Sequence, residues 1–125
     1  MTANRVLLID DDELIAGSLR DYLLTRGWTV DVALEPAAAH AFMSERPYSI
    51  IVVDPYLTAR APEHLSLIGR IRELQPRSAM IVLTAYGSAE LHESAAAHRA
   101  AAVLPKPQPV AYLSELIAGA SLRGV

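Results

Sequence analysis

The stretch Arg5-Val6-Leu7-Leu8-Ile9-Asp10-Asp11-Asp12-Glu13 decides the fold. Four apolar residues follow one another with no polar alternation. That is how a strand buried on both faces reads, and such strands belong to parallel sheets. The acidic run that stops it also starts a helix. Asp12 is a good N-cap, and Glu13 suits a first turn, where the helix dipole favours negative charge. The helix then carries Ile15, Leu19, Tyr22 and Leu23 on one face, and Arg26-Gly27 supplies a basic last turn and a glycine stop.

Moving outward, the same strand–helix unit recurs. Trp28 to Ala33 reads as a second strand, and Pro36 opens a helix to about Glu45. Tyr48-Ser-Ile-Ile-Val-Val-Asp54 is a third strand, again apolar and again ending in acid. A loop runs through Pro62, and Glu63 to Leu74 is a helix with Leu67, Ile68, Ile71 and Leu74 inward, stopped before Pro76. Ala79 to Thr84 is a fourth strand, and Ser88 caps a helix to about His98. Ala101 to Leu104 is a fifth strand running into Pro105-Lys106-Pro107. Pro109 opens a last helix with Leu113, Leu116 and Ile117 inward. Five such units predict an α/β protein, a (βα)5 parallel sheet covered on both faces, as one domain over residues 1–125.

Composition narrows the function classes. Hydrophobic residues make up 52% and charged residues 20% of the 125, a globular balance. There is no cysteine, which excludes disulfides and thiol chemistry. No apolar run approaches the roughly 18 residues that span a bilayer, and a cytoplasmic address is expected. The net charge of -3 argues against nucleic-acid binding by bulk charge. Ten of the eleven basic residues are arginine; the single lysine is Lys106.

In parallel sheets of this kind, sites form outside the carboxyl ends of the strands. The first strand ends in Asp10-Asp11, the third in Asp54, the fourth in Thr84, and the fifth runs into Lys106; the second ends in the unremarkable Ala33. Each residue alone has a plainer reading, as a cap, a turn or a solvated charge. Together they are complementary. If the first and third strands are neighbours, three carboxylates converge, and a hard divalent cation and the lone ammonium would compensate them. The chemistry this set suits is phosphoryl transfer, with Asp54 as nucleophile and Thr84 and Lys106 on the phosphoryl oxygens. None of His40, His64, His92 and His98 lies at a strand end, and all four read as surface.

These segments resemble the receiver domains of two-component response regulators. Val-Leu-Leu-Ile-Asp10-Asp11-Asp12, Ile-Ile-Val-Val-Asp54, Ile-Val-Leu-Thr84-Ala85 and Leu-Pro-Lys106-Pro107 fall in that family's order and spacing, over the whole chain. The resemblance implies a flavodoxin-like sheet of strand order 2-1-3-4-5 and a phosphoacceptor at Asp54. It implies Mg²⁺ (or Mn²⁺) at Asp10, Asp11 and Asp54, with the Tyr56 carbonyl completing the ligands; Asp11 would bind directly and Asp10 through water. Thr84 and Lys106 would sense the phosphoryl group, and Lys106-Pro107 would be cis. The partners implied are a histidine kinase or histidine phosphotransfer protein as donor, and an output partner at the fourth-helix, fifth-strand, fifth-helix face. A dimer formed on phosphorylation fits too, with neither nucleic acid nor membrane as a direct partner. The chain would be a signalling domain, catalysing only its own aspartyl phosphorylation and dephosphorylation.

Four positions depart from that family. Pro55 follows the acceptor and has no N–H to give a phosphoryl oxygen. Thr58 and Pro62 replace the usual proline and glycine of the next loop. Val103 stands at the aromatic switch position, and Arg99 where a glycine precedes the fifth strand. Pro55, Tyr56, Ala85 and Tyr86 flank the pocket, and the two phenol rings are expected either to obstruct hydrolytic water or to lie flat on the surface. Two other classes compete. Pro55 and Val103 favour a phosphorylation-independent interaction module on the same fold. A haloacid-dehalogenase-type phosphatase would share Asp10-Asp11-Asp12 but needs a hydroxyl residue where Leu14 stands. A flavin-binding protein is disfavoured because acid after the first strand would repel a phosphate.

Overall fold

A computed structural model of the chain describes residues 4–56 and 64–123. Strands and helices alternate: β1 (Arg5–Ile9), α1 (Glu13–Thr25), β2 (Thr29–Ala33), α2 (Pro36–Glu45), β3 (Ile50–Val53), α3 (His64–Leu74), β4 (Ala79–Thr84), α4 (Ala89–Ala97), β5 (Ala102–Pro105) and α5 (Val110–Arg123). The strands form one sheet in the order β2-β1-β3-β4-β5, and every neighbouring pair is parallel. This is the doubly wound architecture expected from the sequence. Thr58, Pro62 and Glu63 lie outside the described residues.

Alternation along the three central strands feeds two separate cores. Leu7 and Ile9, Ile51 and Val53, and Met80 and Val82 point to one face, where Ala39 and Met43 of α2, Ile68 and Ile71 of α3, and Leu91 and Ala95 of α4 cover them. Val6 and Leu8, Ile50 and Val52, and Ile81 and Leu83 point to the other, under Leu19 and Leu23 of α1 and Leu113, Ile117 and Ala120 of α5. A strand buried on both sides has no polar face to show, which is why these runs carry no alternation in polarity. Truncating one of these side chains, as in Ile51→Ala, would cost about 2–5 kcal/mol.

The helix boundaries follow local chemistry. The Asp12 side chain accepts from the amides of Leu14 and Ile15, and the Ser88 side chain from that of Leu91. Tyr22 is only half-buried, because its ring and hydroxyl engage Arg26, the C-cap residue, rather than the core. The second strand starts at Thr29, one residue later than expected, since the Trp28 amide is spent on Leu23 at the end of α1. The fifth strand runs one residue further, to Pro105. β5 is an edge strand, where a proline with no N–H removes nothing from the ladder on its open side.

Candidate functional site

Three of the expected site residues stand one position beyond a strand and are held there by the ladder itself. The Asp10 amide donates to the Ala33 carbonyl at 3.0 Å, the Asp54 amide to Ile9 at 2.8 Å, and the Lys106 amide to Thr84 at 3.0 Å. Since Ile9 pairs with Val53, Asp10 and Asp54 emerge side by side from β1 and β3. Both are buried, at 6% exposure each. Lys106 reaches across from the far edge of the sheet, and its Nζ lies 2.8 Å from Oδ2 of Asp10 and 2.8 Å from Oδ2 of Asp54. The remaining oxygens are held by backbone: Asp10 Oδ1 accepts the Asp12 amide at 3.0 Å, and Asp54 Oδ1 the Tyr56 amide at 3.0 Å.

The electrostatics follow from this packing. Burial raises the Asp10 pKa above the ordinary carboxylate value; the Lys106 ammonium and the Asp12 amide pull it down, and the Asp54 charge pushes it up again. Burial works against the Lys106 ammonium, but its hydrogen bonds to Asp10 and Asp54 win, and its pKa is raised. One ammonium thus offsets two carboxylates, and the trio keeps a net negative charge. Asp11 adds a further acid at the exposed mouth. Here the structure differs from the three-acid convergence expected. Among the described residues no three acidic or imidazole side chains are grouped to hold one ion. Lys106 stands between two acids, and the third faces solvent beside the α1 cap. The donor chemistry still fits a small hard cation: carboxylate oxygens on adjacent strand ends with residual negative charge.

Thr84 is buried at the end of β4, and its Oγ1 accepts the Tyr86 amide at 3.1 Å. Pro55 is buried behind Asp54, while Ala85 is exposed. The Tyr56 and Tyr86 rings meet edge to face, with centroids 5.6 Å apart and planes at 68°. Tyr56 also packs against the core on the α2–α4 side, whereas Tyr86 is 62% exposed. Val103 packs into that same core. The Lys106–Pro107 bond is cis. Of the histidines, His40 and His92 are exposed; His98 is half-buried, its Nδ1 2.9 Å from the Ser94 carbonyl. That corrects the surface reading for His98, while the side chain of His64 lies outside the described residues.

Sequence reasoning missed Gln108, whose Nε2 donates to the Pro105 carbonyl at 2.8 Å and braces the turn that carries Lys106. It also missed a cavity of about 190 Å³ beside Lys106, lined by Leu14, Leu19, Leu83, Val110 and Leu113. The signal was an apolar residue, Leu14, on the wrong side of an amphipathic helix; it is 79% exposed.

Residues 6–118 match the response regulator receiver domain family. The chain belongs to that family. A receiver domain is a signalling domain rather than an enzyme in the ordinary sense. Among relatives, the photosynthetic apparatus regulatory protein RegA of Rhodovulum sulfidophilum is 32% identical over 102 residues, 82% of this chain and 55% of RegA. The chain spans between 18% and 55% of the length of curated relatives such as this one. A response regulator of Burkholderia pseudomallei, solved with a phosphorylated aspartic acid, calcium ion and citrate, is 31% identical with a TM-score of 0.80, covering 97% of this chain and 75% of that one. The beryllofluoride-activated NtrC4 receiver domain dimer is 30% identical with a TM-score of 0.84, covering 98% of this chain and 100% of that one. No helix among the described residues is long and apolar enough to cross a membrane.

Proposed function

We propose that this receiver domain takes a phosphoryl group onto Asp54 from a phosphohistidine of a partner protein, and that the modified form switches an output partner. The observation that carries the reading is the Lys106 ammonium at 2.8 Å from both Asp10 and Asp54, at the carboxyl ends of adjacent strands. In the reaction a carboxylate oxygen of Asp54 bonds to phosphorus. The phosphorus–nitrogen bond breaks, and the histidine nitrogen keeps the electron pair; the ring leaves as neutral imidazole because its other nitrogen carries a proton. Lys106 would exchange a carboxylate for a phosphoryl oxygen, and the Thr84 hydroxyl would donate to another. Pro55 offers no amide, and the next one, on Tyr56, is already bound to Asp54 Oδ1.

Asp10 and Asp54 would hold Mg²⁺, and the Tyr56 carbonyl and Asp11, once its exposed side chain turns in from solvent, would complete the ligands. Bound there, it would neutralise acid and incoming phosphoryl charge together. The apolar cavity beside Lys106 supports docking of the donor at α1 and the start of α5. Pro55 after the acceptor and the non-aromatic Val103 at the switch position support a second reading, a module whose partner binding ignores phosphorylation. Calorimetry with beryllofluoride and Mg²⁺ separates the two. Stoichiometric binding that Asp54→Asn abolishes is expected; a wild type that binds no beryllofluoride would favour the phosphorylation-independent module.

A further inference from the structure

An arginine stands at the entry to each strand. Arg26 precedes β2, Arg5 opens β1, Arg46 precedes β3, Arg77 precedes β4 and Arg99 precedes β5. The sheet order lines them up in that sequence along its amino end. The entries are level: Arg5 pairs with Thr29, the Ser49 amide donates to the Arg5 carbonyl, and the Ala79 amide to that of Ser49. At about 4.8 Å between strands, the row is about 19 Å long. Arg26, Arg77 and Arg99 are exposed, and Arg5 and Arg46 half-buried. The acids near this end are few and engaged: Asp31 and Glu45 on Arg46, and Glu73 on Arg70. Arg5, Arg26, Arg77 and Arg99 have no carboxylate partner among the described residues. Asp10 to Glu13, Glu35, Asp54 and Glu90 gather at the other end, so the net charge of -3 hides a cationic one. Helix dipoles explain part of this. Arg26, Arg46 and Arg99 stand at helix C-termini, which favour cations. Dipoles do not account for Arg5, at the head of a strand, or for Arg77, beyond α3 and Pro76. Nor do they account for Arg99 at φ 61°, where glycine would avoid the strain.

We propose that this row is a phosphate-binding surface that lays the amino end of the sheet along the backbone of a nucleic-acid duplex. Guanidinium groups match phosphate oxygens in pairs. A duplex carries one charge per about 1.7 Å of its axis, so an extended row of cations meets phosphates along its whole length. A hollow of about 360 Å³ opens between Arg46 and Arg77, with room for a phosphate group between them. A protein partner would instead need an apolar centre to its interface. Of the large apolar side chains exposed among the described residues, only Leu24 lies near this end. The exposed rings, Tyr86 and Tyr112, are at the opposite end and offer no platform for stacked bases, so the contact is to the backbone and carries no sequence preference. The surface lies at the far end of the sheet from Asp54, and its chemistry is independent of the phosphoacceptor reading.

Fluorescence anisotropy of a short labelled DNA duplex of mixed sequence, titrated with the whole chain, tests this. At about 20 mM salt, binding is expected at ~10⁻⁴ M or tighter, and log affinity should fall against log salt with a slope of about -3 to -4, as contact by Arg5, Arg26, Arg77 and Arg99 would give. Arg77→Gln combined with Arg99→Gly is expected to weaken binding about tenfold and to bring the slope to about -2. Arg20→Gln combined with Arg70→Gln removes the same charge away from the row and is expected to change the affinity less than about twofold. Competition separates the anions. A polyglutamate peptide and phosphatidylserine vesicles, at equal charge concentration, are expected to displace the duplex poorly. Displacement by the peptide would assign the surface to an acidic protein, and displacement by the vesicles to a membrane; either overturns the proposal. So do an unchanged anisotropy at low salt, binding that ignores salt, or an equal loss in the two paired variants.

Discussion

Gly27 and Arg99 occupy the same position in the same motif, and only one of them is suited to it. Past α1, the amides of Gly27 and Trp28 turn back to the carbonyls of Leu24 and Leu23; past α4, those of Arg99 and Ala100 turn back to Ala96 and Ala95. Both closures need a left-handed residue, at φ 90° for Gly27 and 61° for Arg99. An arginine there pays a steric penalty of about 1 kcal/mol that glycine avoids. Burial and the Arg99 charge together also lower the pKa of Arg72. Arg99→Gly is therefore expected to stabilise the fold by about 1 kcal/mol, read from urea denaturation; equal or lower stability would refute it. Tyr48 offers a second test at this scale. Burial, then the 2.7 Å hydrogen bond to Asp31 and its charge, raise the phenol pKa well above its ordinary value. A group whose pKa rises on folding stabilises fully below its unfolded value, about 10 for tyrosine, and loses that contribution as the pH climbs. The stability gap between wild type and Tyr48→Phe should then narrow above about pH 10. A gap that stays constant to pH 11 would contradict this.

Between elements, one glutamine joins three segments. The buried Gln75 Nε2 donates to the carbonyls of Met43 and Arg46 at 2.9 and 2.8 Å, and its Oε1 accepts the Tyr48 amide at 3.0 Å and the Ser78 hydroxyl at 2.9 Å. The end of α3 is thereby fixed to the end of α2 and the start of β3. Arg72 does similar work nearby, donating to the carbonyls of His98, Ser78 and Gln75. Gln75→Ala orphans buried backbone groups and is expected to cost about 2–4 kcal/mol in chemical denaturation. A cost below 1 kcal/mol would mean that water replaces the amide. These residues were not legible in the sequence. Apolar periodicity marks which faces are buried, and it placed every strand and helix to within a residue or two. A polar side chain that satisfies carbonyls some thirty positions away leaves no periodic trace. The two edges of the sheet were least legible, because the closure of α1 takes the Trp28 amide and Pro105 joins β5 only through its pairing with Thr84.

Across the whole molecule, two cores on opposite faces bury the central strands, and their carboxyl ends carry the candidate site. Asp10, Asp54, Thr84 and Lys106 could be read from the sequence because each ends an apolar run, and a parallel sheet puts all such ends on one side. The division of labour among the acids could not. That Lys106 bridges two of them while Asp11 faces solvent depends on how far a lysine reaches from the edge strand, which no spacing encodes. On the proposed reading Asp54, beside that ammonium, accepts a phosphoryl group. The most direct measurement is intact mass after incubation with a small phosphodonor and Mg²⁺. A gain of one phosphoryl group, absent without the metal and absent in Asp54→Asn, is expected; no gain in the wild type, or an equal gain in Asp54→Asn, would contradict it.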